Sequence, residues 1–389
     1  MVTQQESTER IARLQERLAE KAMAGALLSH PIDIYYFSGT RQNALLWIPV
    51  HGEAILLVRK SYSRAHRESP LAEIHPFPPS KAFAATLPGA AGTIGLTFDV
   101  LPVAQYNYFA KLLPGCDFAD LSMVVRELRS VKSAAELELM RRGGARLSAV
   151  FDQVPEFLRR GMREVDLSAA FEARLRTAGG EGYVRMRAFN QELFMGLAVA
   201  GDNACEPGFF DGAVTGRGLS GAAAHGASEG VIAENSPIIV DYTGIFDGYI
   251  LDMTRMFVFG RLDAERQRAF ELSRAIQEEI RDRLRPGAVC AELYARALAM
   301  AEQAGLARHF MGVPGENARF VGHGVGLELD ELPILAAGFD VPLQAGQTVA
   351  VEPKFVFPGH GAVGIENTFV VTGEGGRPLT ISPDDIVSL

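Results

Sequence analysis

The sequence predicts an α+β protein of two domains: a smaller α/β domain, then a larger α+β domain made of two similar halves. Three observations carry this. The chain has 389 residues, enough for two full cores. Short apolar strands alternate with helical stretches up to Ser122. Further on, a helical unit recurs at a constant offset of 126 residues, with Gly161 meeting Gly287. The boundary is placed between residues 125 and 126.

Residues 9–25 give an amphipathic helix, with Ile11, Leu14, Leu18 and Met23 near helical spacing. Strands are expected at Ala26–Leu28, Ile34–Phe37, Ala44–Ile48, Ala54–Val58 and Thr93–Phe98, then a helix over Val103–Leu113. His30, His51, His66 and His75 are scattered through this part and mark no site. Ser133 followed by Glu136 is a capping-box pattern, opening a helix over 134–158. In the repeat, Leu167 meets Leu293, Ala173 meets Ala299, and Ala178-Gly179 meets Ala304-Gly305. A longer helix precedes each copy, at 134–158 and at 263–284.

Composition narrows the function classes. Net charge is −9 and the isoelectric point about 5.5, which argues against nucleic acid or an anionic membrane as main partner. Cys116, Cys205 and Cys290 lack CxxC spacing and suit a reducing compartment. The polar N-terminus has no apolar signal region, and the longest uncharged run, 82–98, is broken by Pro88 and glycines. A cytoplasmic protein is expected.

The chemistry is concentrated in apolar strands that carry acids. Pro237–Phe259 reads as a hairpin bearing Asp241 and Asp252. A turn at Phe246-Asp247 sets these two opposite each other, and a turn at Asp247-Gly248 sets them diagonal on one face. A three-residue loop would put them on opposite faces. In the alternative, one Asp caps a strand end and the other pairs with Arg255. His323 lies in the glycine-rich run Phe320–Gly326. Val349–Pro353 and Ala362–Glu366 are two further apolar strands, and a loop centred on Gly359 pairs Glu352 with Glu366. Ionised carboxylates crowded in an apolar sheet repel unless a cation lies among them. Asp241, Asp252, His323, Glu352 and Glu366 can hold two divalent ions, and this oxygen-rich set favours Mn²⁺, Co²⁺ or Fe²⁺ over Zn²⁺. Such a pair of ions suits hydrolysis.

The runs VDYTGIFDGYILDMTR, GHGVGLELDELP, VAVEP and AVGIEN resemble motifs of the pita-bread metallopeptidases: Xaa-Pro aminopeptidases, prolidases, methionine aminopeptidases and the related creatinase. The resemblance spans nearly the whole chain. It implies a C-terminal pita-bread fold of two pseudo-symmetric halves over 126–389, preceded by a creatinase-type α/β domain over 1–125. It implies that Asp241, Asp252, His323, Glu352 and Glu366 are the metal ligands, that Glu352 is the general base, and that His225 binds substrate. It also implies a peptide substrate and a homodimer.

The chain departs from the pattern at three places. Asp330 stands where these peptidases carry a histidine that helps stabilise the tetrahedral intermediate. Gly364 stands where they carry an arginine before the last ligand. Lys354 stands where they carry a glycine after Glu-Pro, and partly replaces the lost charge. An anion is unfavourable beside a developing oxyanion unless it is protonated or has moved to hold a substrate amine, so Asp330 or Glu331 is placed near the substrate's N-terminal amine, with Asp330 counted beside Glu352 and His225 among the catalytic residues. A dipeptidase that clamps a free carboxylate then fits less well than an Xaa-Pro aminopeptidase. The alternatives are a metal-dependent hydrolase of a non-peptide C–N bond and a binding module that has lost catalysis. Five intact ligands weigh against the second.

Overall fold

The computed structural model describes residues 2–188 and 193–389, in two compact units. One runs to Arg129 and also takes in Arg187; the other begins at Ser130 and holds the rest.

In the first unit, helix α1 (Gln4–Glu20) is capped by the Thr3 side chain. A six-stranded mixed sheet follows, in the order β4-β3-β2-β1-β5-β6. Its strands are β1 (Gly25–Leu28), β2 (Ala44–Pro49), β3 (Ile55–Val58), β4 (Glu73–Pro76), β5 (Gly92–Leu96) and β6 (Cys116–Asp120). The expected strand at Ile34–Phe37 is instead part of helix α2 (Pro31–Ser38). Pro31 sits at its first turn, and Gly39 ends it in the left-handed region at φ 74. These end signals outweigh the β preference of Ile34-Tyr35-Tyr36-Phe37. Helices α3 (Tyr62–Glu68), α4 (Val103–Leu112) and α5 (Ser122–Ser130) complete the series.

In the second unit, α6 (Ala134–Asp152) opens with the capping box formed by Ser133 and Glu136. The expected helix over 134–158 is divided at Gln153, and a short α7 (Val154–Phe157) begins just ahead of Pro155. The repeat is visible in the element bounds. Helix α8 (Glu164–Thr177) and helix α10 (Cys290–Gln303) start and stop at the same 126-residue offset. Gly161 and Gly287 precede them, Gly179 and Gly305 follow them, and all four have positive φ. Helix α9 (Ala264–Arg283) precedes the second copy.

Each half supplies a sheet. The first contains β7 (Gly196–Ala200), β8 (Ile238–Phe246) and β9 (Tyr249–Val258), with the C-terminal β17 (Val387–Ser388) on its edge. Helix α6 packs on β8 and β9, and α8 on β7. The second contains β10 (Phe320–Gly324), β11 (Glu331–Ala336), β12 (Thr348–Val351), β15 (Asn367–Thr372) and β16 (Gly375–Pro378), in the order β11-β10-β12-β15-β16. Between them the β13 (Lys354–Phe357) and β14 (Gly361–Gly364) ribbon touches α9 and β8. One apolar core runs through these layers, with Val199, Ile239, Met256, Ile276, Phe355 and Val363 among its members. No helix among the described residues is long and apolar enough to cross a membrane.

Candidate metal centre

The β8–β9 turn is Asp247-Gly248, with φ of 51 and 85, the positive pair that a tight hairpin turn of this kind requires. This sets the register. Asp241 pairs with Thr254 and Asp252 with Thr243, so the two acids lie diagonal on one face. Arg255, the alternative partner, reaches Asp384 at 3.0 Å instead.

The second acidic pair arrives by the same logic. Val351 pairs with Asn367, and Lys354 with Gly364, both symmetric about Gly359. Glu352 and Glu366 therefore occupy one rung between the β12–β15 and β13–β14 ladders. At that rung the chain turns to β9: Thr254 and Glu366 exchange backbone hydrogen bonds of 3.3 and 3.4 Å. The Thr254 hydroxyl also donates to Glu366 Oε2 at 2.9 Å. On the far side, the Glu352 amide donates to the Val321 carbonyl at 3.0 Å, linking the rung to β10. Asp241, Thr254, Glu366 and Glu352 thus form one row across four strands.

His323 faces this row from β10, where it pairs with Ala350, two residues before Glu352 and on the same face. Its Nδ1 lies 2.9 Å from the Leu329 carbonyl. A carbonyl only accepts, so Nδ1 carries the proton and Nε2 presents its lone pair. Nε2 lies 3.5 Å from Glu352 Oε1 and 4.0 Å from Glu366 Oε1. Donor atoms of Asp252, His323 and Glu366 all lie within 4.8 Å of one another.

The electrostatics of this cluster favour a cation. Burial, and then the Glu366 and Asp241 carboxylates, push Asp252 well above the usual carboxylate range. Burial raises Asp241 too, against the pull of Lys354. Glu366 is 1% exposed, and its Oε1 has no hydrogen-bond partner among the described residues. Carboxylate oxygens of Asp252 and of Glu366, whose Oε1 is unpartnered, together with the imidazole lone pair, fit a hard or borderline divalent ion.

Lys354 is the unexpected member. Its Nζ donates to Glu352 Oε2 at 2.7 Å, Asp241 Oδ2 at 2.9 Å and Glu366 Oε2 at 3.0 Å. Burial alone would favour the neutral amine, but Asp241, Glu352 and Glu366 outweigh it and hold the ammonium form well above the ordinary lysine range. Gly364, across the ribbon, makes room for it. A Cβ there would meet Lys354 Cγ at 2.4 Å.

His225 lies in the segment before β8. It is 6% exposed and stacks on Phe194 at 5.6 Å, with the Phe210 ring edge-on at 4.7 Å. Burial lowers its pKa, against the attraction of Asp241. Glu164, at the start of α8, braces this region. It accepts from the Ala200 amide, the Asn203 side chain, and both the amide and the hydroxyl of Ser228 at 2.6–2.8 Å. Sequence reasoning missed Glu164; its one local signal is an acid in the first turn of a helix. Glu164→Ala is expected to cost about 3 kcal/mol, because several buried donors lose their acceptor. Chemical denaturation measures this, with Glu164→Gln recovering part of the loss.

Glu331, assigned to the substrate amine, requires a correction. It is 6% exposed, and Lys132 donates to it at 2.9 Å. The Leu327 and Glu328 amides donate to its other oxygen at 3.0 and 3.3 Å. The carboxylate holds the segment after His323 in place. Asp330 is half-buried and follows Leu329, whose carbonyl orients His323. Arg185, also missed, donates to the Leu327 carbonyl at 2.8 Å and to the Gly248 carbonyl, tying this segment to the β8–β9 turn.

Comparison with known proteins identifies the family. Residues 138–373 match the model of metallopeptidase family M24, and residues 10–131 match the creatinase/prolidase N-terminal domain. A probable dipeptidase PepE of Mycobacterium tuberculosis is 26% identical over 97% of this chain and 95% of its own. The fold matches the Xaa-Pro dipeptidase of Bacillus anthracis with a TM-score of 0.85, at 23% identity over 98% of this chain and all of that one. It matches the X-Pro aminopeptidase of Thermotoga maritima at 0.80, with 21% identity over 97% and 99%. The two similar halves are the pita-bread arrangement, and the chain belongs to metallopeptidase family M24.

Proposed function

We propose that this hydrolase is a metal-dependent Xaa-Pro aminopeptidase, releasing the residue ahead of proline from peptides longer than two residues. The observation that carries the metal-dependent part is the convergence of Asp252, His323, Glu352 and Glu366 from separate strands on one buried centre. Divalent metal, when bound there, supplies Lewis-acid activation of the attacking water and the scissile carbonyl. The chain's own residues do the rest. Glu352 takes the proton of the attacking water. His225, kept neutral by its burial, offers a hydrogen bond to the substrate. Phe194 and Phe209, 50% and 66% exposed, flank His225 with apolar surface suited to a proline ring.

The preference for longer peptides rests on Lys354. With Gly364 in place of an arginine, Lys354 is the cation at this place, and its ammonium is engaged by three carboxylates of the centre. It is not available to clamp a substrate's free C-terminal carboxylate. With added Mn²⁺, Xaa-Pro-Yaa tripeptides are expected to show kcat/KM at least about 10-fold above Xaa-Pro dipeptides, the effect of about 1.4 kcal/mol of missing carboxylate binding. Faster dipeptide turnover would favour the activity named for the Mycobacterium tuberculosis relative. Metal-bound protein inert on every peptide would shift the reading to a non-peptide C–N substrate.

A further inference from the structure

The oxygens of the centre are divided between two sides. Glu352 Oε2 accepts from Lys354 Nζ at 2.7 Å, and its Oε1 lies 3.5 Å from His323 Nε2. Glu366 Oε2 accepts from Lys354 Nζ at 3.0 Å, and its Oε1 lies 4.0 Å from His323 Nε2. Asp252 joins the His323 side, and Asp241 Oδ2 joins the Lys354 side at 2.9 Å. The two glutamates are therefore bridges. On one side they face an imidazole lone pair, on the other an ammonium.

We propose that the centre takes one divalent cation, among Asp252, His323, Glu352 and Glu366, and that the Lys354 ammonium occupies the place of a second. This rests on the metal-dependent reading above and departs from the two-ion centre that the ligand set suggests. The oxygens a second ion would draw on, Asp241 Oδ2, Glu352 Oε2 and Glu366 Oε2, are the three that converge on Nζ. An ion drawing on them would share the hollow of the ammonium, and like charges repel at that range. Lys354 has no easy exit. Its side chain is 2% exposed, and its stem lies in the space that a side chain at 364 would need. Glycine at 364 and lysine at 354 thus act as a matched pair. Lysine supplies one positive charge and three hydrogen bonds, with no open coordination position. The second ion's charge is partly replaced; its ability to hold water is not.

The test counts ions. The full chain, stripped with a chelator, is titrated with Mn²⁺ by calorimetry, and bound metal is measured by mass spectrometry after desalting. One ion per chain is expected, with the electron paramagnetic resonance of an isolated Mn²⁺. Lys354→Met, which keeps the length of the side chain and removes its charge, is expected to bind two ions and give a spin-coupled signal. Two ions on the unaltered chain, or none, overturn the proposal; so does a Lys354→Met protein that folds and still binds one. Should Lys354→Met not fold, the double variant Lys354→Gly/Gly364→Arg replaces it. It moves the positive charge to the facing strand and is expected to bind two, and a count of one overturns the proposal. Metal counts separate this from the substrate reading. Two ions with Xaa-Pro turnover sink the inference alone, and one ion with no peptide turnover sinks the substrate reading alone.

Discussion

Glu352→Gln is expected to lower kcat on Xaa-Pro-containing peptides by ~10²–10⁴-fold, the range for loss of a general base, with a smaller change in KM. The amide has nearly the shape of the carboxylate but cannot take a proton from water. The rung that carries it should survive. Its backbone bond to Val321 does not involve the side chain, and Lys354 keeps Asp241 and Glu366 as partners. The variant should therefore fold with nearly the original melting temperature. Glu352 also faces the proposed cation, so the ion count belongs beside the kinetics. A retained ion with the full loss of kcat assigns Glu352 to proton transfer. A kcat lowered by less than about 10-fold, with the ion retained, removes it from that role.

Much of this centre is legible in the sequence because strand pairing is arithmetic. Once Asp247-Gly248 is taken as the turn, Asp241 and Asp252 must share a face. Once Gly359 is taken as a loop centre, Glu352 must meet Glu366. That second symmetry also pairs Lys354 with Gly364, so the lysine's reach toward the centre was available from the same register. From sequence alone Lys354 partly replaces the charge of the missing arginine, and its position among the ligands does not follow. That position depends on Asp241, which a different hairpin supplies. Glu331 was misplaced for a related reason. Its partner Lys132 is 199 residues away, and no local pattern announces a contact of that range. Helix α2 was hidden in another way. Six of its eight residues, Ile32, Asp33, Ile34, Tyr36, Phe37 and Ser38, are buried, and only Pro31 is exposed with Tyr35 half-buried, so its sequence carries almost no amphipathic period. The 126-residue repeat, by contrast, was recovered to the residue, because paired glycines fix both ends of each copy.

Asp33→Ala is expected to destabilise the first unit by about 3–5 kcal/mol at neutral pH, the cost of breaking a buried ion pair by removing one partner. Asp33 is fully buried in α2 and accepts from Arg129 at 2.9 Å and from Arg187 at 2.9 and 3.1 Å. Both guanidinium groups are 2% exposed. Without Asp33, Arg187 keeps Asp99 at 2.7 Å, while Arg129 loses an anionic partner inside the core. Burial alone would raise the Asp33 pKa. Arg187, the His30 imidazole 3.6 Å away and Arg129 outweigh it and hold the carboxyl far below the ordinary range. The sign follows from that depression. The contribution is complete above the unfolded-state value of about 3.9 and is lost as pH falls below it toward the folded value. Unfolding midpoints of the unaltered chain and of Asp33→Ala should therefore be widely separated at pH 7 and draw together as pH falls below about 4. Asp33→Asn keeps an acceptor and removes the charge, which separates the electrostatic share from the packing. A gap between the curves that stays constant with pH would show that the cost is one of packing, and that Asp33 is not the charge on which the two arginines depend.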